Sequence, residues 1–435
     1  CIPGRMTRRL SYFLTERIDC MYYYTYQNKK YAALESLALL SCSPPRTDEE
    51  VTFLINRPPE NRRASFLVTD PRQLTAKTDG VEWLDSRRIE APVPDLPEDI
   101  RHRLEAGKLR AINFRHPRWE EIAANANRRR PIRKRVNLLA VGDVGGILLM
   151  ALKLLGGECI GSIGICDLNE NTVARWVAEM SQISWPWEYE SLPKVEAVLP
   201  ERLFDCDVFL FAAAKSVPAV GSSVQDVRMA QFAANRPLVE SYARQARKAK
   251  FDGLFAVLSD PVDPLCKAAY LASNAGEDGQ WDGKGLLAEQ VQGFGLGVMN
   301  ARAAALAQTD LRYLTFLTDG RSFGPHGNGL VIANSIKKYD DQISQELTEQ
   351  VKTANLRIRE LGFKPFVAPA VSSGAMQLLL TLREEWHCGS VCLGGIWFGV
   401  RNRYTANGLE TESLNLPDEL FQRLKETETT LKAIL

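Results

Sequence analysis

From Arg135 onward, short apolar runs alternate with helical periodicity, and the first exchange turns on Ala140-Val-Gly142-Asp-Val-Gly145. Val136–Val141 reads as a buried strand and Val144–Leu155 as a helix, so both glycines fall at a strand-to-helix turn. Ile160–Cys166 reads as the next strand and Glu170–Gln182 as the next helix. Asp207–Ala212 and Gly253–Leu258 follow as strands, with a helix over Val224–Ala249 between them. Such a chain must cover each strand on both faces, which requires a parallel sheet flanked by helices and joined by right-handed crossovers.

The regions on either side read differently. Downstream, the patterns predict a helix over Glu289–Ala307 and a strand over Leu311–Thr318. They also predict helices over Tyr339–Leu361 and Ser372–Glu385, strands around Ser390–Val400 and a final helix over Pro417–Leu435. Upstream, Leu10–Tyr26 and Ala64–Thr69 read as strands, Tyr31–Leu40 as strand or helix, and Pro97–Lys108 and Pro117–Asn127 as short helices. The expected fold class is α/β: a Rossmann-type doubly wound parallel sheet over 131–275, followed by an α+β substrate domain over 276–435. A small α+β appendage of unassigned role occupies 1–130. Between them Arg128–Arg135 carries six positive charges in eight residues, either as a solvated junction or as a contact for an anionic partner or cofactor phosphate.

Composition removes several classes. Lys and Arg number 54 against 53 Asp and Glu, a net charge of +1 that gives no global case for binding nucleic acid or an anionic membrane. No apolar run reaches the roughly 18 residues that a membrane-spanning helix needs. The nine cysteines show neither disulfide-framework nor zinc spacing; Cys388 and Cys392 beside His387 lack a second ligand pair, so no metal is expected. No signal-peptide pattern opens the chain, and the expected location is the cytoplasm.

The turn itself has a specific chemistry. Gly142 lets the backbone approach a pyrophosphate, Gly145 lets the helix pack on the sheet, and the amides of Asp143 and Val144 open the helix where anions are favoured. Asp167 ends the next strand, placed to accept hydrogen bonds from a ribose diol and to repel a 2′-phosphate, so NAD is expected rather than NADP. Asn169 and Glu170 bring no positive charge that would reverse that choice.

The ordered set of motifs from about Arg135 to the C-terminus resembles the lactate/malate dehydrogenase family. It comprises the glycine turn, Cys166-Asp167-Leu-Asn-Glu, Ser259-Asp-Pro-Val-Asp263, Gly295-Leu-Gly-Val-Met-Asn-Ala-Arg302 and Gly324-Pro-His326-Gly. The resemblance implies Arg302 as the clamp on a substrate carboxylate, a bidentate role that lysine cannot fill. It implies His326 as proton donor and acceptor while hydride passes to or from the nicotinamide. Counting back from Asn235 assigns Arg228 to the arginine that polarises the substrate carbonyl. Ala212 and Asn235 join the cofactor contacts by the same resemblance, which also implies a small carboxylate substrate and a homodimer or homotetramer.

The sequence departs from the family pattern in four places. Asp260 stands where an amide usually donates to the reacting oxygen; a carboxylate cannot donate unless protonated, but it suits an imine or ammonium. Met299 stands where an acid usually orients the histidine, which makes Asp260 the candidate partner for His326. The loop Ala213–Asp226 is longer than the pattern, leaving Ser222 near the specificity position and Lys215 as the available cation. The segment before Arg135 has no counterpart. Three readings stay open: a 2-hydroxy/2-oxo acid oxidoreductase, an imino-acid reductase of opine or amino-acid type, and an NAD-binding sensor or scaffold of impaired turnover.

Overall fold

The computed structural model describes residues 21–46, 49–126, 131–215 and 227–434. The N-terminal unit carries β1 (Tyr22–Tyr26), β2 (Lys29–Ala33), β3 (Val51–Ile55), β4 (Ser65–Leu67) and β5 (Arg110–Asn113), with α1 (Glu98–Glu105) and α2 (Trp119–Asn125). Its sheet runs β1-β2-β3-β5-β4. The ambiguous segment after Tyr31 is strand only as far as Ala33.

The alternation predicted from Arg135 is present: β6 (Lys134–Leu139), α3 (Asp143–Leu155), β7 (Ile160–Cys166), α4 (Glu170–Met180), β8 (Lys194–Ala197), β9 (Val208–Phe211), α5 (Val227–Lys248) and β10 (Leu254–Val257). Next come α6 (Val262–Asn274), β11 (Val291–Gly293) and α7 (Leu296–Thr309). The chain continues with α8 (Phe316–Asp319), the hairpin β12 (Arg321–Phe323) and β13 (Val331–Ala333), and α9 (Asp341–Glu360). It ends with α10 (Met376–Leu382), β14 (His387–Leu393), β15 (Ile396–Thr405), β16 (Gly408–Thr411) and α11 (Asp418–Lys432).

The large sheet has the order β16-β15-β14-β11-β10-β9-β6-β7-β8. The six strands from β6 to β11 are parallel, in the doubly wound order 3-2-1-4-5-6 counted from β6. Their register sets Cys166, Leu139, Phe211, Val257 and Gly293 in one row across the sheet. The residues just past that row therefore emerge side by side, at the edge where open α/β sheets bind ligands.

Two expectations fail for physical reasons. Glu289–Ala307 is not one helix: Val291–Gly293 pairs with β10 as a strand, and α7 begins only after Gly295. Leu311–Thr318 is not a strand but two helical turns, because Asp310 caps the amide of Arg312 at 3.0 Å. Tyr313 and Phe316, three apart, face the core while Leu311, Leu314 and Leu317 stay exposed, a helical rather than alternating pattern. Over Ser372–Glu385 the first turn is widened, with a π segment at Pro369–Ala375 ahead of α10.

The N-terminal unit packs into the second half. Val81 and Leu84 share one core with Phe323, Val391, Phe398 and Leu420. The carboxylate of Asp85 accepts from the Leu416 amide at 3.0 Å, and Arg110 donates to the Asn407 carbonyl at 3.2 Å. Among the described residues, no helix is long and apolar enough to cross a membrane.

Candidate functional site

The glycine turn leaves β6 with Ala140 at φ +71°, a left-handed conformation usually left to glycine. Gly145 is required by contact: a Cβ there would lie 2.0 Å from the Ala140 carbonyl oxygen, so only glycine lets α3 sit this close to β6. At Gly142, the residue preceding the helix, a Cβ would meet no heavy atom within 4 Å, which leaves the backbone open at the start of a thirteen-residue helix. Asp167 braces the turn, its Oδ2 accepting from the Val141 amide at 2.9 Å and its Oδ1 from the Asn169 amide at 3.1 Å. Each carboxylate oxygen keeps further acceptor capacity for a ribose hydroxyl. Val144 is half-buried in the first turn, and Asp143 points outward to Lys364 Nζ at 3.2 Å. The open backbone, helix start and carboxylate fit a dinucleotide.

Asn235 is buried on α5 with both ends of its amide engaged by main chain. Its Oδ1 accepts from the Lys215 amide and its Nδ2 donates to the Asp260 carbonyl, each at 2.8 Å. It thereby ties the segment after β9 to the segment after β10. Ala212 continues β9, its amide bonding the Leu139 carbonyl at 3.3 Å, and Lys215 is exposed. Ser222 and the side chain of Arg228 lie outside the described residues.

His326 sits on the β12–β13 loop with its Nδ1 2.8 Å from the Gly295 carbonyl oxygen, just past β11. A carbonyl only accepts, so in this arrangement Nδ1 carries the proton. The backbone amide of His326 donates to Asp263 Oδ2 at 3.2 Å, and Ser390 Oγ donates to Asp263 Oδ1. Burial pushes the Asp263 carboxyl up to about 6, with Asp260 adding to the rise and the hydrogen bonds from Ser390 and the His326 amide opposing it. Sequence reasoning gave the orienting role at His326 to Asp260; at Nδ1 the structure has the Gly295 carbonyl.

Arg302 lies one helix away on α7, half-buried, its Nη1 donating to the Val351 carbonyl at 3.3 Å and lying 3.7 Å from Met299 Sδ. Burial pushes its guanidinium below the ordinary value, and the Asp260 carboxylate offsets part of that. Among the described residues no carboxylate is within salt-bridge distance of it. Asn300 is engaged elsewhere, accepting from Ser322 Oγ at 3.2 Å.

Asp167, Ala212, Asp260 and Gly295 thus follow four adjacent or near-adjacent strands of one register row, and His326 is bonded to the last of them. Asp263, Ser373 and Ser390 support this edge but escape sequence reasoning; the Ser-Asp-Pro-Val-Asp263 run is a signal for Asp263 alone.

No family model matches the chain, and comparison with curated proteins gives no match. Solved structures do share its fold. The minor L-lactate dehydrogenase of Enterococcus mundtii, in a ligand-bound form, is similar at TM-score 0.56 and 19% identity, covering 70% of this chain and 98% of that one. Malate dehydrogenase of Picrophilus torridus gives 0.54 and 18%, covering 69% and 96%. Malate dehydrogenase of Archaeoglobus fulgidus in complex with NADH gives 0.54 and 15%, covering 69% and 97%. The chain has the fold of the lactate and malate dehydrogenases, nearly the whole of which is spanned by part of its length.

Proposed function

We propose that this chain, built on the lactate/malate dehydrogenase fold, is an NAD-dependent oxidoreductase that moves hydride between nicotinamide and a small 2-hydroxy/2-oxo acid. The observation that carries the proposal is the joining of His326, through Gly295, to the same strand edge that holds the open glycine turn and Asp167. Bound NAD supplies hydride acceptor and donor chemistry; Gly142, the amides of Asp143 and Val144, and Asp167 are the residues to hold it.

The chain's own residues do the rest. Arg302 offers a planar, desolvated guanidinium to the substrate carboxylate, and desolvation strengthens that pairing. With Nδ1–H fixed on Gly295, protonated His326 delivers its Nε2 proton to the substrate oxygen in reduction and takes it back in oxidation. Arg228 belongs to this reading as the carbonyl-polarising cation, Lys215 and Ser222 as the loop groups facing the substrate side chain, and a homo-oligomer as the assembly.

A second reading, reduction of an imine formed from a 2-oxo acid and an amine, is favoured by one observation. Asp260 follows β10 as a carboxylate and acts electrostatically on Arg302, so it offers negative charge rather than a donor. NADH titration followed by a panel of 2-oxo acids, with and without ammonium or primary amines, decides among these. Oxidation of NADH by an oxo acid alone is the expected result. Oxidation only with amine present moves the assignment to the imine. NADH binding without any turnover replaces both with nucleotide sensing, and no NADH binding overturns the proposal.

A further inference from the structure

We propose that Ser373 is a positioning residue for His326, acting through the carbonyl of Gly295; the assignment rests on the reading of His326 as the proton donor. Gly295 is the N-cap residue of α7, and its lack of a side chain is dictated by its neighbours. A Cβ at 295 would lie 2.9 Å from His326 Cβ and 3.0 Å from Val262 Cγ2, so the close approach of the histidine requires glycine there. Glycine in turn has no oxygen with which to cap the helix, and α7 has no cap from its own N-cap side chain.

Ser373 supplies both missing functions from elsewhere in the chain. Its Oγ accepts from the Val298 amide at 2.8 Å, the bond that an N-cap side chain normally makes to the third residue of a helix. Its hydroxyl proton goes to the Gly295 carbonyl oxygen, also at 2.8 Å. The oxygen that holds His326 Nδ1 is therefore pinned by a second donor, 78 residues away in sequence. Ser373 is buried and sits in the π segment Pro369–Ala375, a widened turn of the kind found at functional positions. On this chain a buried hydroxyl and a backbone carbonyl, both neutral, orient the imidazole, while Met299 leaves α7 without an acid at the corresponding place.

The test uses the full chain labelled with nitrogen-15 at its four histidines, with His326→Ala to assign the signal of interest. Long-range proton–nitrogen correlation reports which ring nitrogen is protonated and needs neither nucleotide nor turnover. The expected result is an Nδ1–H imidazole at His326 in the unsubstituted chain and in Ser373→Thr. In Ser373→Ala a mixture with the Nε2–H form is expected, while His116 and His387 stay unchanged as reporters of the fold. An Nε2–H form in the unsubstituted chain, or a His326 pattern untouched by Ser373→Ala, overturns the proposal. If Ser373→Ala does not fold, the unsubstituted and Ser373→Thr spectra decide: both must show Nδ1–H.

In the kinetic arm, Ser373→Ala lowers kcat at least tenfold with KM within twofold, and Ser373→Thr restores kcat. A rise in KM alone also overturns the assignment. Absence of turnover with every oxo acid and imine would remove the proposed function, whereas the tautomer measurement would still decide the role of Ser373.

Discussion

Ser65, on the N-terminal sheet, and Glu289, 224 residues later, are joined by two hydrogen bonds to one oxygen: the serine hydroxyl at 2.7 Å and its amide at 2.9 Å. The Ala64 amide donates to the other carboxylate oxygen at 3.0 Å. Burial raises the Glu289 carboxyl, and these donors work against that. Glu289→Ala strands three donors, the buried Ala64 amide and the half-buried Ser65 amide and hydroxyl, and is expected to cost about 2–4 kcal/mol in urea unfolding. Glu289→Gln, which keeps an acceptor oxygen, should cost less than half as much. Equal costs for the two variants would show that the carboxylate is not what ties the units together.

Ala140 invites a gain rather than a loss. At φ +71° its Cβ carries a penalty of about 1–2 kcal/mol that glycine escapes, partly returned through the greater freedom of glycine in the unfolded chain. Ala140→Gly is expected to raise stability by about 0.5–1 kcal/mol, read as a higher urea midpoint at unchanged slope.

Arg302→Lys keeps the charge and removes the planar fork. The expected effect is a KM for the acid substrate raised about ten- to a hundredfold, equivalent to about 1.5–3 kcal/mol of lost charge-assisted hydrogen bonding. Steady-state kinetics on the best oxo acid provides the check; a change confined to kcat would count against the clamp.

Asp260→Asn converts a group that cannot donate into one that can. With a 2-oxo acid alone, kcat should rise about ten- to a hundredfold through a bond to the developing oxyanion, and any amine-dependent rate should fall. The ratio of the two rates in the same preparation reads this directly. A variant with the ratio of the unsubstituted chain would remove Asp260 from the reacting centre.

The buried titrating groups act in opposite directions on acidification. His116 and His387 are held down to about 4 by burial, so the stability of keeping them neutral is complete above pH 6.5 and lost as pH falls toward 4. Asp263, raised to about 6 against an ordinary 3.8, takes up its proton in the folded chain first and relieves the folded state over the same window. Asp263→Asn should therefore steepen the loss of stability between pH 7 and pH 5 by about 1 kcal/mol, measured by urea unfolding at the two values.

What could be read from the sequence was what is local. The glycine turn, Asp167 and the strand–helix alternation each announce themselves within one window, and the sheet places them as expected. The orienting contact of His326 could not be read that way, because a backbone carbonyl has no residue-type signature and Ser373 reaches it from a distant segment. The contacts of the Asn235 side chain, to the Lys215 amide and the Asp260 carbonyl, could not be read that way either, because both partners are main-chain groups. Strand β11 is hidden because three residues ending on Gly293 carry too little period to stand out from the helix behind them. The turns at Leu311–Asp319 are hidden for the converse reason: apolar residues three apart resemble alternation when the capping by Asp310 is left out of account.

The single register row at the ends of the parallel strands has an evolutionary corollary. Asp167, Ala212, Asp260 and Gly295 each follow their own strand at a common level, so one can be rewritten while the sheet keeps the others in place. Exchanging an amide for Asp260, or a carboxylate for Met299, then amounts to a local edit, and reaction preference can drift widely beneath an unchanged architecture.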